Sequence, residues 1–478
     1  MRKITQFFLC VFVVLIHQQT NAQIGIGTTN PDPSSILDVS SNTQGLLVPR
    51  MSTSDRTSIS SPTAGLMVYD TDLDAFMFYE GSWHEVANST NVERNNYKLI
   101  KSVDDLADEL VAGGGTSYQL TANTYYEING SITLAFPIDL NEAYISGLDA
   151  NEDRLIISGG TIFSGSSGGS IRNLTLVAVG SSIFNLTGTG AETLVFQNCI
   201  VSGFGATTDT FGSITNFNIV FFNIINIGSL DGGVTYTNIN NLLLSNVAWF
   251  DSNAGTYETY VGTFDLIEKI SGFTKVSAGA TGIDVSANPT VGAGNLIASP
   301  FAGAGAYVDP YTVGGYTNYN FNNAWEIDCP GLPIESDATT SGYYYMVNNV
   351  TATSLFADDT PVKIEGVTTS SNLFRTSSTD NRLTYLGTES REFEVICTGT
   401  MQHTVNNARR FEFYIYKNGV QVSAISAERR FSRNDVGNFS MTGVLNLAPN
   451  DYIEVWVSIN NVGSVPSCLI ERLSVVLK

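Results

Sequence analysis

Between Arg154 and Gly279 the chain repeats itself imperfectly. The segment "RLIISGG" is followed by "SIRNLTLVAVG", "AETLVFQNCIVSG", "SITNFNIVFFN", "NINNLLLSNVAW" and "KISGFTKVSAG". The first inward residue of each unit would be Leu155, Leu174, Leu194, Phe217, Leu242 and Phe273, at spacings of 19, 20, 23, 25 and 31. Alternating apolar residues separated by turn-rich intervals fit the coils of a parallel β-helix, in which neighbouring coils stack like side chains, Asn included, over one another. Such a stack buries an apolar column that no single coil could bury. A β-sandwich would account for these strands but not for the repeat. Just upstream, "SVDDLADELVAGGG" reads as a helix over 102–111. Ser102 caps it, Asp104 and Asp105 lie in its first turn, Val103, Leu106, Leu110 and Val111 form one face, and Gly113 stops it. Placed there, the helix would cover the open end of the column and block strand addition.

The rest of the composition suits strands and turns. The chain has 478 residues, 44 of them Gly, with 43% apolar and 14% charged side chains and a net charge of −22. Such an acidic surface repels nucleic acid and anionic membranes, and the apolar content is too high for a disordered acidic tail. Residues 1–22 have the parts of a cleaved signal peptide: Arg2 and Lys3, an apolar run from Phe7 to Ile16, and Thr20-Asn21-Ala22. Removing them leaves 21 basic side chains against 45 acidic ones, and the expected location is secreted or cell-surface. Four cysteines remain. Cys397 and Cys468, both on expected strands of one domain, are the candidate disulfide; the other reading leaves all four as buried thiols.

The mature chain would open with "GIGTTNPDPSSILDVSSNTQGLLVPRMS" (25–52), too loop-rich to build its own core. Yet Ile36, Leu37, Val39, Leu46, Leu47 and Val48 are spaced as if buried. Other copies of the chain would supply the missing core. A three-strand meander follows through Leu66–Tyr69, Ala75–Tyr79 and Trp83, then a linker over 88–96. At the other end, "REFEVICTGTM", "RRFEFYIYKNG", "QVSAISAERRF", "GNFSMTGVLNL", "DYIEVWVSINN" and "CLIERLSVVLK" alternate as strands, with an Asn418-Gly419 hairpin turn. With three shorter strands they suffice for a jelly roll.

Three resemblances follow from these residues. The helix at 102–111, "YQLTANTYYEINGSITL" (118–134) and "IRNLTL" (171–176) resemble the pectate-lyase-like right-handed β-helix family. "TPVKIEG", "DNRLTYLG", "RFEFYIYKNG" and "AERRFSRNDVGNFSMTGVLNLAPNDYIEVWV" resemble the trimeric jelly-roll heads of phage-type and Bacteroidota fibres, similar to tumour-necrosis-factor and complement-type heads. The opening segment with "SPTAGLMVYDTD" and "FYEGSWHEV" resembles the N-terminal module of secreted Bacteroidota fibre-like proteins. Together they imply an all-β homotrimer: signal peptide 1–22, N-terminal fibre or attachment module 23–90, parallel β-helix 97–300, linker 301–335 and jelly-roll head 336–478. The implied role is a structural or adhesive fibre whose head recognises a glycan or protein, with an anchoring partner at the N-terminal module. Phage fibres assemble in the cytoplasm, so the signal peptide points instead to secretion or the cell surface. The alternative is a tailspike-like polysaccharide lyase or glycoside hydrolase on the β-helix.

The chemistry-bearing residues favour binding, and whether the chain is an enzyme stays open. Asp70, Asp72 and Asp74 begin like a calcium loop, but Ala75 and Gly81 stand where that loop needs Gly and Glu, so a solvated turn is expected. Only His84 and His403 survive signal cleavage, in different domains, and no metal or other cofactor is expected. Hydrolysis needs two carboxylates across the scissile bond; Asp209, Asp231, Asp251, Asp265 and Glu268 fall at irregular offsets, and no pair emerges. The candidate binding residues are Tyr343, Tyr344, Tyr345 and Trp325, with Tyr311, Tyr316, Tyr319 and Phe321 nearby, and the basic cluster Arg409, Arg410, Arg429, Arg430 and Arg433. The aromatics either stack on sugar rings or pack the β-helix-to-head junction or the trimer axis. The arginines either pair with Glu389, Glu392, Glu394, Glu412 or Glu428 within and between subunits, or bind an anion.

Overall fold

The computed structural model describes residues 23–86, 96–204, 208–356, 359–460 and 467–478. The expected signal peptide and residues 88–95 of the expected linker lie outside them. The chain divides into two compact units, 1–95 and 96–478.

In the second unit, short apolar strands separated by left-handed turns stack coil on coil into a right-handed parallel β-solenoid from Tyr97 to Asp328. Each coil adds one strand to each of three parallel ladders. The first ladder runs through Tyr118–Gln119, Thr161–Gly165, Ser182–Thr187 and Thr256–Val261 to Ala306–Asp309. The middle ladder runs from Tyr97–Ile100 through Tyr125–Ile128 and Tyr144–Ser146 to Trp325–Asp328. The third runs from Ser131–Leu134 through Arg154–Ser158 to Phe301–Gly303.

Register is set by the inward residues. Ile145, Ile171, Phe196, Phe222, Leu244, Lys269, Leu296 and Ile327 are successive partners on the middle ladder, one per coil. All but Lys269 belong to one continuous apolar core. Of the six residues expected to point inward, Leu155, Leu174, Leu194, Phe217 and Leu242 are fully buried, but they do not form one row. Leu155 pairs with Leu176 on the third ladder, Leu194 and Leu242 share a row through Val220, and Phe273 stands half-exposed edge-on to Phe250. Coils differ in the length of their turns, so a fixed spacing in sequence does not mark a fixed position in the stack.

The corner between the middle and third ladders needs a left-handed residue, which short polar side chains adopt most cheaply. Asn173, Asn198 and Asn246 occupy it with φ of 52°, 54° and 53°. The Asn198 amide donates to the Asn173 side-chain oxygen at 3.3 Å, and at another corner Asn238 donates to Asn216 at 3.2 Å. Asparagine stacking therefore appears as expected.

The capping segment is a 3₁₀ turn, Val103–Leu106, leading into an α-helix, Ala107–Ala112. Leu106 is buried in the first coil, and the Asp105 carboxylate accepts the N–H groups of Lys101 and Ser102 at 2.8 and 2.9 Å. Val111, expected on the buried face, is 80% exposed. Glu109 turns inward instead, accepting from Lys98 Nζ at 2.6 Å and Tyr126 Oη at 2.8 Å.

The expected linker over 301–335 is also corrected, since Phe301–Gly303, Ala306–Asp309 and Trp325–Asp328 form the closing rungs of the three ladders. A β-sandwich follows, made of two antiparallel sheets. One is ordered Thr369–Phe374, Ser341–Met346, Ser467–Leu477, Arg391–His403, Gly437–Leu447, with Ala352–Ser354 added on Ser467–Leu477. The other is ordered Thr376–Thr379, Arg382–Tyr385, Tyr452–Ile459, Arg409–Lys417, Val420–Phe431, with Val362–Lys363 added on Tyr452–Ile459. Their facing side chains make a second core, in which the Phe413 and Phe439 rings stack at 3.7 Å.

The first unit is a four-stranded sheet, Arg50–Met51, Met67–Asp70, Ala75–Tyr79 and Trp83–Glu85, beside a separate two-stranded pair, Ile24–Ile26 with Leu37–Val39. A short α-helix, Thr53–Ser58, was not legible in the sequence. In the expected solvated turn Asp72 and Asp74 are exposed, but Asp70 is instead buried in an ion pair. Arg56 Nε donates to the Asp70 carboxylate at 2.7 Å, so that carboxylate is spent on the fold.

Candidate functional site

The outer face of the first sandwich sheet carries three rows of outward side chains. Strand alternation places Tyr343, Val476, Ile396 and Thr442 side by side in one row, and Tyr345, Ser474, Thr398 and Ser440 in the next. The Tyr343 and Tyr345 rings stack with centroids 5.4 Å apart. Beyond them a third row adds Arg472, Thr400 and Asn438. From the facing edge strand, Arg429 reaches across, donates to the Asn438 carbonyl and lies 5.6 Å from the Phe431 ring centre. Tyr343, the second and third rows and Arg429 line a groove of about 700 Å³. An apolar ring platform, a bank of hydroxyls and two guanidinium groups can stack on a sugar ring, hydrogen-bond its hydroxyls and attract an acidic substituent.

The fold brings three expected binding residues, Tyr343, Tyr345 and Arg429, into this groove and places the others elsewhere. Tyr344 points the opposite way, fully buried, with its hydroxyl donating to Asn381 at 2.5 Å. Burial pushes that phenol well above its ordinary range. Trp325 is 1% exposed in the solenoid core, its indole N–H donating to Tyr311 Oη at 3.1 Å. It sits against Gly294, where a Cβ would come within 2.4 Å of the indole ring. Tyr316 and Tyr319 pack on Phe374 of the sandwich, so these aromatics build the junction between solenoid and sandwich. Of the remaining arginines, Arg410 pairs with Glu428 at 2.9 Å, Arg409 Nε donates to the Asn406 carbonyl, and Arg430 is exposed opposite Arg410. Arg472, which completes the groove, was missed: it lies outside the basic run, and only strand pairing brings it there.

The disulfide expected between Cys397 and Cys468 is absent. Both are free and buried, and they sit on neighbouring strands in the wrong register, Cys397 opposite Val475 and Cys468 opposite His403. Seven residues separate those rungs, about 20 Å at strand rise and far beyond bridging distance. Burial pushes the Cys468 thiol up to about 12.

Charged groups the sequence reading did not single out hold the junction. Arg375 is fully buried at φ 50°. It donates to Asp337 at 2.5 Å, to Glu326 at 2.8 Å and to the Trp325 carbonyl. Burial pushes the Asp337 carboxyl up, but Arg375 and the N–H groups of Thr388 and Glu389 outweigh it and hold the group below its usual range. Deeper in the solenoid, Glu258 and Lys269 form an ion pair at 2.7 Å, each 1% exposed. Trp249 and Tyr260 complete the Glu258 shell, each at 2.7 Å.

The five carboxylates expected on the solenoid sit in different surroundings. Asp209 is buried and accepts the N–H groups of Gly180 and Phe204, and Asp251 pairs with Lys275 at 2.7 Å. Asp231 is exposed in a turn and Asp265 on the strand Thr263–Val276. Glu268 lies on an outward row with Asn295 and Glu326, two rungs from the latter, roughly 9.6 Å between Cα atoms. Glu326 is engaged by Arg375. Among the described residues no cluster of His, Cys, Asp and Glu could hold a metal ion, and no helix is long and apolar enough to cross a membrane.

The first unit has a different character. Twelve large apolar side chains between Ile24 and Val86 are exposed, Ile36 and Leu47 at 82% each, while among the described residues its buried core is Val68, Ala75 and Met77. Residues 25–97 match the family model of the phage tail like trimerisation region, which marks this segment for self-association. Comparison with curated proteins finds no match. Among solved structures, the chain is similar to the enzymatically active domain of bacteriophage CBA120 tailspike protein 4, at 11% identity and a TM-score of 0.20, covering 90% of this chain and 77% of that one. It is also similar to Pantoea stewartii WceF, a glycan biofilm modifying enzyme with a tailspike-like parallel β-helix, at 8% identity and a TM-score of 0.16, covering 88% and 70%. At those scores neither carries an argument about this chain.

Proposed function

We propose that this chain is an exported structural or adhesive fibre. Three copies join through the N-terminal module, and the solenoid acts as a shaft bearing a jelly-roll head of the tumour-necrosis-factor kind. The observation that carries this reading is the N-terminal module itself. A segment with three buried core residues and twelve exposed large apolar ones is incomplete as a monomer, and the trimerisation match covers that same segment. The head's groove, with Tyr343, Tyr345, Arg429 and Arg472, is the recognition site for a surface glycan. The N-terminal module is where an anchoring partner would attach.

Light scattering on residues 23–478 tests the assembly: a mass three times that of the chain is expected, and a single-chain mass would overturn it. Glycan-array binding tests the groove. Tyr345→Ala together with Arg472→Ala should lower retention of bound glycans at least tenfold without moving the unfolding midpoint, since both side chains lie on an outward face.

A second reading, a glycan-cleaving shaft, draws on Glu268 and Glu326. The two lie two rungs apart on one outward row, so their side chains project from the same face of the solenoid. Product release from the same glycans, abolished by Glu268→Gln, would favour it.

A further inference from the structure

The three ladders present different outer faces. The first is polar: Ser213, Thr235, Thr259 and Asp284 are consecutive partners pointing outward. The middle ladder is not. Its outward row opens with Tyr97, Tyr125 and Tyr144, the first two rings stacked at 6.0 Å, continues after Ser170 with Val195, Phe221 and Leu243, and turns polar only beyond them at Glu268, Asn295 and Glu326. In the adjacent row Ile219 and Leu266 flank that stretch, with Asn241 between them. All five aliphatic and aromatic side chains of this patch remain partly accessible to solvent.

A second observation falls at the same place. At the corner where other coils put Asn173, Asn198 and Asn246, the coil bearing Phe221 has Ile224, with φ 57° and 47% exposure. A β-branched residue in the left-handed region is strained, and here burial does not compensate for it within the chain. An apolar, strained side chain on the rim of an apolar face is what an interface requires and a solvated corner does not.

The trimerisation match ends at residue 97, on the first rung of this same row. We infer that self-association continues along the shaft, with the outward face of the middle ladder, centred on Phe221, Leu243 and Ile224, packing against other copies of this chain. The inference rests on the self-association reading and adds which face of the solenoid meets its copies. A rigid ladder suits that role, because its strands are already paired on both sides and offer side chains alone.

The test uses the mature chain, 23–478, with Leu243→Cys or Phe221→Cys, each compared with Thr235→Cys on the polar ladder. The four cysteines beyond the signal segment are buried, so a short bismaleimide reacts at the introduced site. Linked copies on a denaturing gel are expected for Leu243→Cys and Phe221→Cys and not for Thr235→Cys. A multimeric mass without linked copies at either position would overturn the inference and leave the N-terminal reading standing. A single-chain mass would overturn both. Linking at Thr235→Cys as efficient as at Leu243→Cys would also sink it, since the contact would then not be face-specific.

Discussion

At the residue scale, the most exacting placements are of charges put where the sequence suggests grease. Lys269 occupies an inward position between Leu244 and Leu296 on one row, and it is tolerated because Glu258 meets it at 2.7 Å. Removing one member of a buried pair leaves the other charge without a counterion. Lys269→Met should therefore lower unfolding free energy by roughly 3–5 kcal/mol in denaturant titration. Replacing both partners, Lys269→Met with Glu258→Gln, should recover a large part of that loss. Equal losses in the single and double variants would contradict this account. The pairing was invisible in sequence, where neither Lys269 nor Glu258 was singled out. Eleven residues separate them, and only the turn between two ladders points both inward.

At the element scale, the solenoid is a set of near-identical coils whose corners determine whether they stack. Asn198 holds φ 54° and donates its amide to Asn173, serving both the turn and the ladder. Asn198→Ala should cost about 1–2 kcal/mol, because a Cβ without a local hydrogen bond is penalised in the left-handed region. Asn198→Gly should cost clearly less, since glycine adopts that region freely. Equal costs would show that the amide ladder, not the backbone, dominates. The existence of the coils, their asparagine corners and the helix ahead of them were legible in the repeat. Their register was not, because turn length varies and inward positions are defined by neighbouring coils. The same limit grouped Tyr344 with Tyr343 and Tyr345 as candidate binding residues: only the strand pairing shows that the flanking two share the outward face while Tyr344 is buried.

At the scale of the whole molecule, Arg375 decides whether solenoid and sandwich behave as one body. It bonds the last rung at Trp325 and Glu326 and the connecting residue Asp337 from a buried position on the sandwich side. Arg375→Met should separate the thermal unfolding of the two parts into distinct transitions and expose the 329–340 connection to proteolysis; a single unchanged transition would contradict this. Acid acts on the same contact. Asp337 is held below its usual range, so its contribution is full above its unfolded value of about 3.9 and is lost as pH falls through the lower folded value. Glu335, pushed up by burial despite the N–H donors of Asn320 and Phe321, works in the opposite sense and protonates first. The sequence by itself determined the strand-rich class, the repeat and the incompleteness of the N-terminal segment, since these follow from local alternation, turn residues and apolar content. Tertiary structure alone decided the register of the coils, the extension of the solenoid through Asp328, the burial of Trp325, the separation of Cys397 from Cys468 and the meeting of Arg429 with Arg472. Each of these depends on which residues lie opposite one another across strands distant in sequence, and spacing along one chain does not encode that opposition.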